Sequence, residues 1–488
     1  MRKISKISLV AAVAVAGFST ANAQPLEEAI KNVDVSGSVV YRYDNFHNNE
    51  KEDAINGVTS GRQNTDANRY KIGLNLSSKV NDYVKFNSRF IVGSQANGGF
   101  ASLNAGKENT WRNGFQDNTA GADGQADVSL SNAYFGFTAI PNTVVNIGKQ
   151  GLTTPYTVAT DINGNEQTGT GILALTTVGP VTAGLGYFNN SNLNNSSEIN
   201  ASQGLGLGGN FYNVNRPVGG TMADWEFDPQ GANGLVNGGS DIYVATVQGD
   251  LDFVKLEAWY LGAQETFNSY TLAATSNIDL AENAKIGLEA RYVNLKLTND
   301  ARTGIANGVN NAYNRMTVPG VGTWATGYGA NLTADDFESK NDMFRLAVDG
   351  KFSIVNARLA YTKTGKKGGL TALDQDAKNT SLGWAISSNG VANADYYQAA
   401  LGADILDNLN FTLNYGYIKA KENTNTPYVQ RILVDDLKAK EVYGQLTYKM
   451  SKNLSTYLRY GTYDEKVKSS GEKVQDQTRG RIQVAYTF

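Results

Sequence analysis

Leu409-Asn410-Phe411-Thr412-Leu413-Asn414-Tyr415-Gly416-Tyr417 alternates apolar and polar residues without a break. A repeat of two places Leu409, Phe411, Leu413, Tyr415 and Tyr417 on one face of an extended chain, and Asn410, Thr412 and Asn414 on the other. A strand with two such unlike faces suits a boundary between an apolar and an aqueous phase. The pattern recurs: Val33, Val35, Gly37, Val39, Tyr41 and Tyr43 oppose Asp34, Ser36, Ser38, Val40 and Arg42, and Ile286, Leu288, Ala290 and Tyr292 oppose Lys285, Glu289 and Arg291. Eighteen segments read as strands, near 33–43, 69–78, 84–93, 128–138, 144–149, 171–177, 181–188, 241–249, 253–262, 267–277, 284–297, 343–350, 355–362, 396–404, 409–418, 441–449, 454–463 and 479–488. Many are about 9–11 residues long, which is what a tilted membrane-crossing strand needs.

The connections are sorted by length. Alternate ones are tight, at 79–83, 140–143, 178–180, 250–252, 278–283, 351–354, 405–408 and 450–453. The others are long, at 44–68, 94–127, 150–170, 189–240, 298–342, 363–395 and 419–440, with 263–266 the short exception. Short turns at one end and long polar loops at the other are the plan of an outer-membrane barrel. The charges agree. Asp34, Arg42, Arg69, Lys71, Lys85, Arg89, Lys285, Glu289, Arg291, Arg358, Lys449 and Arg459 all fall on the polar phase. A Lys or Arg on the lipid face at mid-membrane costs about 2–4 kcal/mol, so the apolar phase faces lipid and the other lines a wet interior. An open sheet would leave backbone groups unpaired in hydrocarbon, so the sheet must close. The fold expected is all-β: an 18-stranded antiparallel transmembrane β-barrel with short periplasmic turns and long extracellular loops. Tyr41, Tyr43, Tyr415, Tyr417 and Tyr448 lie where interfacial girdles are expected.

Composition removes most other classes. Among 488 residues there are 52 Gly and 26 Tyr, but one His and no Cys. Disulfides, thiolate metal sites and cysteine nucleophiles are therefore excluded. A net charge of −3 does not suit a nucleic-acid binder. Arg2, Lys3 and Lys6, the apolar run Leu9–Phe18 and Ala21-Asn22-Ala23 form a cleavable export signal, residues 1–23, so the mature barrel is expected to span 24–488 from Gln24. Loss of three basic residues takes the net charge from −3 to −6.

The chain ends Gly480-Arg481-Ile482-Gln483-Val484-Ala485-Tyr486-Thr487-Phe488. Alternation with Tyr486 and a terminal Phe488 on the lipid face resembles the assembly signal of outer-membrane barrels. The segment Pro25–Gly37 with Tyr41-Arg42-Tyr43-Asp44, together with Gly148-Lys149-Gln150, Thr160-Asp161 and Gly169-Thr170-Gly171, resembles the major outer membrane porins of Campylobacter and related bacteria. That resemblance implies an eighteen-stranded homotrimeric porin for passive diffusion of ions and small hydrophilic solutes, with a mild cation preference, exposed as an abundant surface antigen.

In the general porin plan the loop after the fifth strand folds inward. Here it is 150–170, preceded by Lys149 and carrying Asp161 and Glu166. Facing it, the wall offers Arg42, Lys85, Arg89, Arg291, Arg358 and Arg459. An acidic loop against a basic wall sets a transverse field, and rings of charge set ion preference. No cofactor is required; a Ca²⁺ ion at Asp161 and Glu166 is thinkable, since Ca²⁺ takes oxygen ligands.

Three rival readings remain. An outer-membrane enzyme would have to use His47, which sits in an Asn-rich segment with no nucleophile spaced to it. A substrate-specific channel for sugars would need a row of luminal aromatics, for which Phe135, Tyr396, Tyr443 and Tyr457 are scattered candidates. A surface-layer or adhesive protein does not explain the sorted loops or the terminal Phe488.

Overall fold

The computed structural model describes residues 33–48, 54–55, 58–59, 65–94, 99–103, 111–112, 115–116, 127–192, 210–212, 226–228, 240–303, 333–374, 376–421, 437–468, 471 and 473–488. The export signal and most of 189–240 lie outside them. Eighteen long strands run in chain order: β1 Val33–Asn48, β2 Thr65–Asn81, β3 Val84–Gly93, β4 Asp127–Phe137, β5 Thr143–Gly151, β6 Thr168–Val178, β7 Val181–Ser191, β8 Ile242–Asp250 and β9 Lys255–Ala263. The second half is β10 Phe267–Ala281, β11 Ala284–Leu297, β12 Lys340–Phe352, β13 Val355–Thr364, β14 Ala394–Leu406, β15 Leu409–Ala420, β16 Leu437–Lys449, β17 Leu454–Val467 and β18 Lys473–Thr487. Each pairs antiparallel with its sequence neighbours, and β18 returns to β1. The sheet is a closed barrel, as the alternation requires.

Several strands run beyond their expected ends. β1 reaches Asn48, so His47, expected in a loop, lies in the strand opposite Thr478. β17 and β18 meet across 468–472, so two connections on the long-loop side are short, this one and 264–266.

The seam between β1 and β18 rests on a contact that only glycine allows. Gly37 N–H donates to the Phe488 carbonyl at 2.9 Å, and Phe488 N–H donates back at 3.0 Å. A Cβ at Gly37 would stand 2.4 Å from the Gly73 carbonyl and 2.7 Å from the Phe488 ring. Phe488 stacks on Tyr486 at 5.8 Å, and both rings are exposed on the outside.

The outer surface carries Val39, Leu130, Leu272, Leu288, Leu359, Leu413 and Ile482, all exposed in the isolated chain. Cross-strand ring pairs Tyr187–Tyr243, Tyr260–Tyr270 and Tyr361–Tyr397, at 5.2–5.5 Å, stand near the long-loop ends. Their hydroxyls reach polar groups there, as Tyr361 does to Asp395 at 2.7 Å and Tyr260 to Asn268 at 2.6 Å. An apolar ring with a polar tip fits the membrane–water interface.

The interior departs from a uniformly wet lining. Val244, Leu261, Phe267, Val293, Leu295 and Met343, on β8 to β12, are buried against Leu152 and Tyr156 from the loop after β5 and Leu370 and Leu373 from the loop after β13. An apolar core therefore lies inside the barrel, between the wall and two tucked-in loops. The second of these, 365–393, was expected as a polar external loop. It instead carries the buried residues Leu370, Leu373, Trp384 and Ile386, because apolar side chains in this number are more stable under the wall than in water.

Candidate functional site

The inward loop 152–167 relies on two glycines, one in the strand before it and one near its own far end. Gly148 in β5 has φ +129°, and a Cβ there would meet the Ala133 carbonyl at 2.5 Å. At the far end of the loop Gly164 has φ +82° and packs against the Phe100 ring, where a Cβ would come within 2.7 Å. Only glycine takes these positions without strain.

Glu166 anchors the loop to the wall of β2, β3 and β4. Lys71 Nζ donates to its carboxylate at 2.5 Å. Arg89 grips both oxygens, at 3.0 and 3.1 Å, and Ser131 Oγ donates at 2.8 Å. Lys71 also donates to the Gly164 carbonyl. Arg42 donates to the Ile162 carbonyl at 3.0 Å and lies over the Phe100 ring at 4.2 Å. Burial opposes ionisation of Glu166, but the hydrogen bonds and charges of Arg89 and Lys71 outweigh it and hold its pKa below the ordinary range.

Asp161 stays within its own loop, accepting from the backbone and side-chain nitrogens of Asn165 at 2.6 Å. Glu166 thus does not face the wall across an open gap but is in direct contact with it. As a Ca²⁺ ligand Glu166 does not fit, since two cations already hold its oxygens. No group of three or more His, Cys, Asp or Glu placed to hold a metal occurs among the described residues.

The remaining expected residues divide. Arg291 donates to Glu289 at 2.9 Å and to Asn379 at 3.3 Å, so it touches the second loop rather than the first. Arg358 pairs with Asp349 on the wall at 2.7 Å. Arg459 is bound to Gln445 at 2.6 Å. Lys85 is exposed beside the turn after β2, opposite Lys79 and away from the loop. Lys149 donates to the Leu130 carbonyl at 2.8 Å. Of the candidate aromatic steps, Phe135 packs on Phe86 on the outer face, 44% exposed, and Tyr396 is fully buried. Tyr443 and Tyr457 face inward beside Arg459.

Sequence reading missed the second inward loop and what holds it. Arg345 donates to the Thr380 carbonyl at 2.5 Å, the Lys378 carbonyl at 2.8 Å and Glu289 at 2.7 Å. Glu441 on β16 accepts from the backbone N–H of Trp384 at 3.1 Å and of Ala385 at 2.7 Å. The two loops also bond to each other. Leu373 N–H donates to the Tyr156 carbonyl and Asn379 N–H to the Pro155 carbonyl, both at 2.8 Å. Gln167 donates to Asp374. Burial, then the neighbouring carboxylate, pushes Asp374 well above the usual range, and burial raises Asp376. Between the second loop and β12–β16 a cavity of about 340 Å³ remains, lined by Arg345, Arg358, Asp376, Lys378, Gln398 and Tyr443. The result is a barrel whose lumen is narrowed by two loops bonded to its wall and to each other.

Known proteins agree with this picture. The family model for the Campylobacter major outer membrane protein matches residues 1–488. No curated protein matches the chain. Among solved structures, Acinetobacter baumannii OccAB3 is similar at TM-score 0.60 and 13% identity, over 93% of this chain and 99% of that one. Pseudomonas aeruginosa OpdL is similar at TM-score 0.59 and 12% identity, over 94% and 99%. Pseudomonas aeruginosa OpdK, solved with vanillate, is similar at TM-score 0.59 and 12% identity, over 93% and 98%. A closed eighteen-stranded barrel with a lipid-facing exterior, a loop-narrowed lumen and a family match over its whole length has one identity: the chain belongs to the Campylobacter major outer membrane protein family and is an outer-membrane porin.

Proposed function

We propose that this porin passes ions and small hydrophilic solutes by passive diffusion, without catalysis, through the opening that loops 152–167 and 365–393 leave inside the barrel. The observation that carries the reading is the Glu166 anchor on Lys71 and Arg89, which makes the first loop a fixed part of the channel. Purified protein in a planar bilayer should give stepwise ohmic insertions in KCl, and a verified folded barrel without conductance would overturn the reading.

The mild cation preference draws its support from the family alone. The inner wall, rich in arginine, pulls the other way, and the reversal potential in a salt gradient reads the balance. The homotrimer follows from the family, and cross-linking in intact membranes tests it. Cleavage after Ala23 follows from the leader, and N-terminal sequencing should begin at Gln24. Of the two residues expected to attract Ca²⁺, Asp161 is the one a cation would reach without displacing Lys71 and Arg89. A change in conductance on EGTA treatment is the expected sign.

A further inference from the structure

One rung of the sheet, close to the long-loop end, crosses five strands. Lys363 on β13 is opposite Asp395 on β14, Asp395 opposite Lys419 on β15, Lys419 opposite Lys438 on β16, and Lys438 opposite Lys466 on β17. Lys440 stands one rung lower, opposite Tyr417. All of these side chains point out of the barrel. Thr364, Tyr396, Ile418, Ala439 and Tyr463 are buried inside, and successive residues of a strand point to opposite faces.

The rung below carries rings. Tyr361, Tyr397 and Tyr417 follow one another across β13, β14 and β15, two residues, or about 7 Å, nearer mid-membrane. Lysine heads on the outer face just above such an aromatic girdle lie at the level of the lipid head groups. At the long-loop end that level belongs to the outer leaflet.

The charge there is unbalanced. Asp395 pairs with Lys363 at 2.9 Å and Asp464 with Lys466 at 3.4 Å. Against these two carboxylates stand Lys363, Lys419, Lys438, Lys440 and Lys466. Lys419, Lys438 and Lys466 are also side by side in register, and like charges directly opposite destabilise a sheet. Anions beside them relieve that repulsion. Elsewhere near this end, outward tyrosine hydroxyls reach Asn68, Asp241 and Asn268, which are neutral or acidic. The basic arc is therefore local. A second copy of the chain suits it poorly, since a buried ammonium is costly unless paired. A lipid phosphate matches the charge in a hydrated layer, and Lys binds phosphate as a point charge.

We infer that the outer arc of β15–β17 binds the phosphate groups of an outer-leaflet lipid that carries more than one phosphate, through Lys419, Lys438, Lys440 and Lys466. The surface lies on the lipid side of the wall and does not depend on what the lumen passes.

The test titrates purified folded protein in neutral detergent with diphosphoryl lipid A, monophosphoryl lipid A or phosphatidylcholine. The readout is the temperature at which the folded band converts to the unfolded one on gels. Diphosphoryl lipid A should raise it more than monophosphoryl lipid A, and phosphatidylcholine should leave it in place. A triple variant, Lys419→Gln with Lys438→Gln and Lys466→Gln, should need about a hundredfold more diphosphoryl lipid A for the same rise, at roughly fivefold per lysine. Lys79→Gln with Lys285→Gln and Lys351→Gln, the same charge loss at the short-turn end, should respond as the wild type does. Without lipid the first triple variant should melt no lower than the wild type, because its substitutions relieve repulsion. Lys438→Gln alone, needing about fivefold more lipid, serves should the triple variant fail to assemble. Equal lipid responses of the wild type and the lysine-arc variants would overturn the site. An altered oligomer on cross-linking with an unchanged lipid response would assign the lysines to a subunit contact and overturn it as well.

Discussion

Glu166 and Lys71 form an ion pair of 2.5 Å inside the barrel, with 5% and 7% of their side chains exposed. With Arg89 on the other oxygen, this pair fixes loop 152–167 to the wall. Glu166→Gln leaves the buried Lys71 and the half-buried Arg89 without their anion, a loss of up to about 3–5 kcal/mol for a buried pair broken from one side. The barrel, held by backbone bonds, should still assemble. Single-channel conductance should rise as the loop leaves the wall, and the reversal potential should move toward anions. Unaltered values for both would show that the loop is held by its apolar contacts alone.

The same pair sets an acid limit. The pKa of Glu166 is lowered from 4.5, so its contribution is present above that value and is lost as pH falls through the lower folded value. Conductance should stay constant from neutral pH down through the ordinary glutamate range and change only below it. A change centred near pH 6 would assign the effect to another group.

Asp374 and Asp376 carry the opposite sign. Their pKa values are raised from 3.8, so the stability they confer is full below that value and is lost as pH rises toward the raised folded value. Melting of the loop contacts, followed by tryptophan fluorescence at Trp384, should become easier at alkaline pH. Asp374→Asn should remove most of that dependence.

The lipid face can be checked by charge. Leu359, 64% exposed, alternates with the luminal Arg358 on β13. Leu359→Arg should cost about 2–4 kcal/mol if it sits at mid-membrane and reduce the fraction of folded barrel on unheated gels. Arg358→Gln should leave assembly intact. Equal effects of the two would contradict the assignment of faces.

Gly37→Ala drives a methyl group into the Gly73 carbonyl and the Phe488 ring. Overpacking of this kind costs roughly 1–3 kcal/mol. The temperature at which the folded band converts to the unfolded one should fall, more than for Gly249→Ala, where a Cβ touches only Leu251 at 4.0 Å.

The barrel was legible because lipid and water impose a period of two on every strand, and Leu409–Tyr417 displays it unaided. Glu166 and Arg89 were legible through the porin loop plan and the polar phase. Lys71 lay on that same phase, but alternation does not rank one luminal cation above another. The second inward loop was not read, because loop length and polarity were taken to mean exposure. Its signal was the stretch 379–394, which holds Trp384, Ile386 and Val391 and no charged residue. The inner apolar core was missed for a related reason. Val293, Leu295 and Leu297 continue the luminal phase of Arg291, and only a covering loop makes apolar side chains stable there.

Apart from Phe100, every partner named in the narrowed passage belongs to a barrel strand or to one of two loops bonded inside the barrel. None of those named partners falls within 193–239 or 304–332. The contacts that narrow the lumen therefore constrain the sequence of the strands and of the two inner loops, and the named partners place no such constraint on those two segments.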